Sequence, residues 1–447
     1  MKNLFAYMQQ VYDRRSFALL LSSVFLLNVV SCSRKTDSSS DYNSMLSDTV
    51  FTLKIDRPYY IDKYSNLFSE VRYVALEETQ NSIVGEITKM EITNEGDYII
   101  FDFRSKGVYR FSSDGRFLNT IGVRGPGEKE YVLPWDMKYD PFHNRVLVWD
   151  NGKRSILTYE MDGTLHSKVQ LPWVIASFGI VDEECIICYM NNDEDILGDE
   201  KGTNYKIVKR DGTIVKEFGE YGIEMADFNP SAEKTFSSQN GKCLCMPPYS
   251  NTLFRVEGDS LNAIASFDFG ENNIPRNWLC GSNRDVIEKM EQHPNLVEIS
   301  TVFDTGRYYL LKLSRNHFQT LCLIQKDTKE IKSVAVNMIN DLFGMVGNTS
   351  LRYVYGDKLF FAIEPQEFER MNSFLQSVPE DGDIKKAIMK GKDAIYESTA
   401  SMFGADAAVA HVDSLKSANF KLSPGERELI SEMSQKSNPI IQVCKLK

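Results

Sequence analysis

Along this chain, apolar residues fall into short runs separated by polar turns, and the runs return in a fixed order. One unit reads Tyr98-Ile-Ile-Phe-Asp102, Gly107-Val-Tyr-Arg-Phe111, Asp114-Gly115 and Phe117-Leu118 to Ile121. A second reads Arg145-Val-Leu-Val-Trp-Asp150, Ser155-Ile-Leu-Thr-Tyr159, Asp162-Gly163 and Leu165 to Leu171. A third runs through Cys185-Ile-Ile-Cys-Tyr189, Tyr205-Lys-Ile-Val-Lys209, Asp211-Gly212 and Ile214 to Phe218. The Asp-Gly pairs recur every 48 or 49 residues. Each unit predicts strand, turn, strand, Asp-Gly turn, strand, because Asp-Gly between apolar runs is a hairpin signal and glycine supplies the positive φ that such turns need.

Two further copies follow. The fourth spans Cys243–Met246, Thr252–Val256, Gly258-Asp259 and Ala263–Phe269; the fifth spans Tyr308–Lys312, Gln319–Ile324, Asp327 and Ile331–Val336. A sixth has to be assembled from both ends of the chain: Leu351–Tyr355 and Lys358–Ile363 form a hairpin, and Pro439–Lys447 supplies a strand. Val71–Leu76, which has no repeat of its own, is expected to close the ring beside that last strand. The period matches propeller blades, and closure leaves only short strand edges. The sequence therefore predicts an all-β fold, a six-bladed β-propeller over residues 48–447.

Two stretches break the period. Ser282-Asn-Arg-Asp285 ahead of Val286, Ile287 and Met290 predicts a short capped helix between blades four and five. Residues 366–436 have Ile384, Ala387, Ile388 and Ile395 at helical spacing and Ser423-Pro-Gly-Glu426 as a helix start, so a helical insertion is expected in the last blade, capping one face or rim.

The N-terminus has a different pattern. Lys2, Arg14 and Arg15 precede an apolar run from Phe17 to Val30, and Val29-Val30-Ser31-Cys32 follows, which predicts a signal peptide over residues 1–31. The apolar run is shorter than the roughly 20 residues needed to span a bilayer. The quartet resembles the bacterial lipobox, and that resemblance implies cleavage before Cys32 and acylation (palmitate among the acyl groups) of its thiol. Residues 33–47 are too poor in apolar side chains to offset their ordering entropy and read as a flexible tether, residues 32–47 with the lipidated cysteine. The expected location is the cell envelope, anchored through lipid in the outer membrane, on either its periplasmic or its surface side.

The formal charge is −11, and removing Lys2, Asp13, Arg14 and Arg15 with the leader leaves −13. An acidic body without clustered Lys and Arg argues against nucleic acid as a partner. Seven cysteines remain after Cys32, an odd number, and Cys185 and Cys188 would lie on opposite faces of one strand. Neither they nor Cys243 and Cys245 make a metal pattern.

Gly122-Val-Arg-Gly125-Pro-Gly127-Glu128, Tyr131, Pro134, Met137, Asp140 and the run Arg145–Asp150 look like an NHL-type repeat. With the lipobox, Val71–Leu76 and the final strand, the chain resembles a family of bacterial six-bladed β-propeller lipoproteins, which implies a fold without an assigned activity. Lys129 and Glu130 separate Glu128 from Tyr131 where that family has Gly-Glu-Tyr together.

None of the motifs of nucleophilic, metal or phosphate chemistry is present: no Gly-x-Ser-x-Gly, no His-Glu-x-x-His, no Walker loop. The five histidines are scattered. The reading is a binding or scaffold module for a glycan, a peptide or an envelope protein, with Tyr131, Trp135 and Trp173 as candidate ligand contacts because exposed aromatic rings on propeller loops stack on sugars and grip peptides. The rival is a gluconolactonase-like hydrolase or lyase with a Ca or Zn ion in the central channel, for which Asp102, Asp136, Asp150 and Asn151 are the candidate channel-mouth groups. No other cofactor is called for. Cys32→Ala should release a folded protein from the membrane fraction; a variant still bound after carbonate extraction would contradict the lipid anchor.

Overall fold

The computed structural model describes residues 49–447 except 54–60, 193–201, 222–234, 240, 281, 316–317, 336, 342–344, 347–349, 379–382, 404 and 419–422. The expected leader, Cys32 and the tether lie outside the described residues.

Five four-stranded sheets, one five-stranded sheet and one three-stranded sheet are formed. Sheet one holds Lys89–Ile92, Tyr98–Asp102, Gly107–Phe111 and Phe117–Thr120 as an antiparallel meander. Sheet two holds Pro134–Asp140, Arg145–Asp150, Ser155–Glu160 and Leu165–Gln170; sheet three holds Ser177–Ile180, Cys185–Tyr189, Gly202–Lys209 and Ile214–Tyr221. Sheet four holds Phe236–Gln239, Lys242–Cys245, Thr252–Glu257 and Ser260–Asp268, with Val50–Thr52 added in parallel at its outer edge. Sheet five holds Glu298–Asp304, Tyr308–Arg315, Phe318–Gln325 and Ile331–Ala335.

Sheet six joins the two ends of the chain. Ser350–Tyr355 pairs with Lys358–Ile363, this with Ile440–Leu446, and that last strand with Phe68–Ala75 in the register Ile440↔Ala75 to Leu446↔Phe68. The pairing expected for Val71–Leu76 is thus present. A small sheet of Ile61–Lys63, Asn337–Asn340 and Met345–Val346 was not expected from the sequence.

Each of the first five repeats contains one strand more than its apolar runs revealed, whereas all four strands of sheet six were expected. The additional strand is the first of its sheet, and the first strands of all six sheets stand side by side: Lys89–Ile92 beside Pro134–Asp140, then Ser177–Ile180, Phe236–Gln239 and Glu298–Asp304, while Ser350–Tyr355 lies beside Lys89–Ile92.

Strands alternate their side chains between two faces, and here both faces are buried, which is why the runs read as continuously apolar. Ile99 and Phe101 pack with Met137, Val146 and Val148 between sheets one and two. Their neighbours Tyr98 and Ile100 pack with Phe360 and Ile441 between sheets one and six. Leu147 and Trp149 meet Phe178 and Ile186 between sheets two and three. Equivalent clusters fill the seams between sheets three and four, four and five, and five and six. Cys185 and Cys188 belong to different seams, whereas Cys243 and Cys245 share one. All seven described cysteines are free thiols.

Two of the Asp-Gly turns lie tight against the backbone of the preceding sheet. Gly115 has φ +90°, and a Cβ there would lie 2.1 Å from the Ala75 carbonyl of sheet six; at Gly163, φ +88°, it would lie 2.2 Å from the Thr120 carbonyl of sheet one. Only glycine allows both the conformation and the approach.

The two predicted helical interruptions are present. Asn283–Glu291 starts at the capping box of Ser282 and Asp285. The insertion forms helices Pro365–Gln376, Ile384–Lys390, Lys392–Phe403, Ala405–Ser417 and Pro424–Met433, the last opened by the Ser423/Glu426 capping box. Its core of Phe368, Leu375, Ile384, Leu415 and Ile430 is continuous with Ile363, Ile440, Tyr73 and Ala75 of sheet six. It therefore sits where Lys358–Ile363 ends and Ile440–Leu446 begins.

Trp149, fully buried in the seam between sheets two and three, is the largest side chain of the core. Trp149→Ala should cost about 3–5 kcal/mol, read as a lower midpoint in urea unfolding with the near-ultraviolet dichroism of the native protein otherwise kept.

Candidate functional site

The first strands bring polar side chains to one axial cavity. It is lined by Lys89, Glu91, Asp136, Lys138, Ser177, Thr235, Thr301, Lys312 and Arg352 together with Met90, Phe236 and Phe303, so that all six large sheets contribute. Its volume is about 40 Å³, room for about three water molecules.

The charges on this axis are paired with one another. Lys89 Nζ donates to Asp136 Oδ1 at 2.6 Å and to the Trp135 carbonyl at 3.3 Å. The Phe178 amide donates to Asp136 Oδ2 at 3.1 Å. Lys138 Nζ lies 3.3 Å from Glu91 Oε1 and donates to the Phe236 carbonyl at 3.4 Å. The Tyr353 hydroxyl donates to the Glu91 carboxylate. Burial alone would raise the pKa of Asp136, but Lys89 and Lys138 outweigh it and hold the carboxyl below its ordinary value. Burial would likewise lower Lys138, yet Glu91 and Asp136 outweigh it and keep the ammonium charged. This is a buried network in which each charge depends on its partner.

Of the four channel-mouth candidates, Asp136 alone lines this cavity. Asp102 is fully buried and accepts from the Gly85 and Arg104 amides, both at 2.8 Å. Asp150 does the same one sheet on, accepting from Val132 and Leu133 at 2.8 Å and from Gly152 at 3.0 Å. Both carboxylates thus pin the segment that enters a first strand, and Asn151 sits in the turn beside them, its amide donating to the Leu133 carbonyl at 2.9 Å. These three hold turns, as Asp and Asn side chains commonly do by saturating nearby amides at strand ends. The axial carboxylates do not fit a divalent cation: each is held by a lysine, and among the described residues no three His, Cys, Asp or Glu converge.

The aromatic candidates separate in the same way. Tyr131 is 1% exposed and packs edge-on to Tyr159 in the seam between sheets one and two, its hydroxyl accepting from the Val108 amide at 3.3 Å; it is a core residue and not a surface contact. Trp173 is half-buried against the seam of sheets two and three, with the Lys206 ammonium 5.3 Å above its ring. Trp135 adjoins Asp136 in the first strand of sheet two; it is 40% exposed and lies edge-to-face with Phe103 at 5.3 Å. Lys106 lies over the other ring of this pair; burial, and then the Arg124 cation, pull its pKa down. Arg104, next to Phe103, and Arg352 both reach Glu86, at 3.4 and 3.7 Å. The Glu130 carboxylate accepts from the Gly127 amide, so the Gly125-Pro126-Gly127 turn is closed by a protein side chain. Phe103, Arg104 and Lys106 were not found from sequence: they occupy a hairpin turn without any motif.

Repeated four-stranded meanders whose first strands line one axial cavity define a propeller-like, mostly β protein. Within that class the chain belongs to a family described as a domain of unknown function (DUF4934), whose model matches residues 49–393. No curated protein matches it. Among solved structures it is similar to a protein of Bacteroides fragilis NCTC 9343, provisionally described as exported, with a TM-score of 0.65 at 15% identity over 89% of this chain and 100% of that one. More distant are virginiamycin B lyase from Staphylococcus aureus (TM-score 0.34, 11% identity, 65% and 81% covered) and the β-propeller domain of Cps50 (Swd1) from Myceliophteria thermophila (TM-score 0.38, 10%, 64% and 96%). No described helix is long and apolar enough to cross a membrane.

Lys138→Met should destabilise the protein by about 3–5 kcal/mol at pH 7 because it strands Glu91 without its cation, and adding Glu91→Gln should recover part of that loss in urea titrations. Because its pKa is depressed, the Asp136 pairing stabilises above the ordinary carboxylate range and is lost as pH falls through the lower, folded value.

Proposed function

We propose that this protein is a binding module of the cell envelope: a six-bladed propeller, tethered through a lipidated Cys32, that holds a glycan, peptide or protein partner on the face around Trp135 and Phe103. The observation that carries this reading is the filled axis. Lys89, Asp136, Lys138 and Glu91 are held in ion pairs within the protein, and about 40 Å³ is far below the roughly 300–1,000 Å³ of small-molecule pockets. Chemistry on a substrate drawn into the channel would first have to break Lys89–Asp136 and Lys138–Glu91.

Six blades are supported by the six apolar seams, the last of which joins sheet six to sheet one. The mouth above the axis offers what a recognition surface needs. An exposed indole at the start of a first strand, with a second ring and several cations on the neighbouring turns, is held by a rigid frame. The cations Arg104, Lys106 and Arg124 stand out on a chain of formal charge −11, which favours a partner carrying acidic groups. The leader and Cys32 motivate the tether, and the outer membrane is the location this reading assigns.

Purified protein screened on glycan and peptide arrays should retain ligands that Trp135→Ala loses by roughly 10-fold or more, while Trp173→Ala, which disturbs a seam, should lower stability before it alters binding. Arrays without any retained ligand, or a Trp135→Ala variant that binds unchanged, would overturn the assignment.

A further inference from the structure

A second concavity lies away from the axis, between the helix Asn283–Glu291 and the start of sheet five. Its volume is about 150 Å³, and its walls are Ile274, Ile287, Met290, Pro294 and Leu296, with Glu298, Ser314, Glu291 and His293 as the polar groups. Glu298 opens the first strand of sheet five, opposite Ser314.

Three observations give this pocket its chemistry. Among the described residues the lining has two carboxylates and no lysine or arginine. The Glu298 side chain makes no hydrogen bond or ion pair with any described residue, unlike the axial carboxylates, and burial pushes its pKa up to about 7. The apolar wall is contributed largely by a segment outside the repeat, the helix with its flanking loops. A carboxylate in apolar surroundings without a cation is costly to ionise, and a cationic ligand removes that cost. An apolar cavity of about 150 Å³ accepts a body the size of benzene.

We infer that this pocket binds an alkylammonium group with an apolar body of about six carbons, the ammonium on Glu298 and the body against Ile287, Met290 and Leu296. The site is independent of the binding face around Trp135. Such a cation is presented either by a free amine or by a lysine side chain of a partner, and the chemistry of recognition is the same. The other titratable groups facing Glu298 are Glu291 and His293 from the helix and its end, and Tyr249 from the turn of sheet four. His293 is engaged through Nδ1 with the Lys289 carbonyl at 2.9 Å and rests on Trp278.

The test is calorimetric titration of the full chain with cyclohexylamine, cyclohexanol, cyclohexanecarboxylate and Nα-acetyl-lysine methylamide at pH 6 and pH 8. Cyclohexylamine or the lysine amide should bind roughly 10- to 100-fold more tightly than cyclohexanol, and the carboxylate should not bind. Ammonium binding should strengthen roughly tenfold from pH 6 to pH 8, because Glu298 ionises across that interval while an amine of lysine type stays charged. Glu298→Gln should abolish both the preference and the pH step while leaving cyclohexanol binding, which separates Glu298 from His293. Ile287→Trp, at a position 44% exposed, should block every ligand without unfolding the protein. A tighter fit for the lysine amide places the cation on a partner protein, and a tighter fit for cyclohexylamine places it on a free amine; either supports the site. Equal binding of cyclohexylamine and cyclohexanol, or a pH step that survives in Glu298→Gln, would overturn it.

Discussion

The structure depends on one strand pairing, that of Ile440–Leu446 with Phe68–Ala75. Apart from Val50–Thr52 at the edge of sheet four and Ile61–Lys63 in the small sheet, sheets one to five are local meanders, each drawn from one continuous stretch of chain. Sheet six is not, and two seams rest on it. Ile441 and Val443 fill the seam with sheet one, while Cys444 and Leu446 fill the one with sheet five. Because alternate residues of one strand serve opposite seams, removing this pairing would open both at once and expose the unsatisfied edges that a closed arrangement avoids. The first strands line a common axis only while this closure holds, so the axial ion pairs inherit their burial from a contact at the periphery.

Much of this was legible in the sequence. Runs such as Tyr98–Asp102 and Arg145–Asp150 announce strands buried on both faces, and Gly115 and Gly163 mark turns where no other residue fits. The join of residues 71–76 to the final strand followed by elimination, since neither had a repeat of its own. What stayed hidden were the first strands of sheets one to five. Lys89, Glu91, Asp136, Lys138 and Ser177 interrupt the apolar pattern because their side chains turn to the axis, where charge is tolerated in pairs. The polarity that concealed these strands is therefore the polarity that makes the axis distinctive.

The individual site residues were read less well, for a related reason. Asp102, Asp136 and Asp150 look alike in sequence, yet two hold turns and one holds a lysine, and only the neighbours brought in from other repeats distinguish them. Tyr131 occurs in a loop rich in glycine and proline, which suggests exposure; its ring instead fills a seam that the preceding sheet creates. Glu298 carried no sequence signal at all, because its surroundings come from a helix inserted between two repeats.

The placement of sheet six also sets a schedule. Residues 75 and 440 pair directly, so 365 residues (440 − 75) must be made after the first of these strands before its partner exists. Until that partner is in place Phe68–Ala75 lacks the strand that pairs with it, and sheet six is incomplete. The helical insertion is completed just before the final strand, so its apolar face against Tyr73 and Ala75 is ready to seat the outermost strand as the last one arrives. Completion of sheet six thus waits on the last strand of the chain.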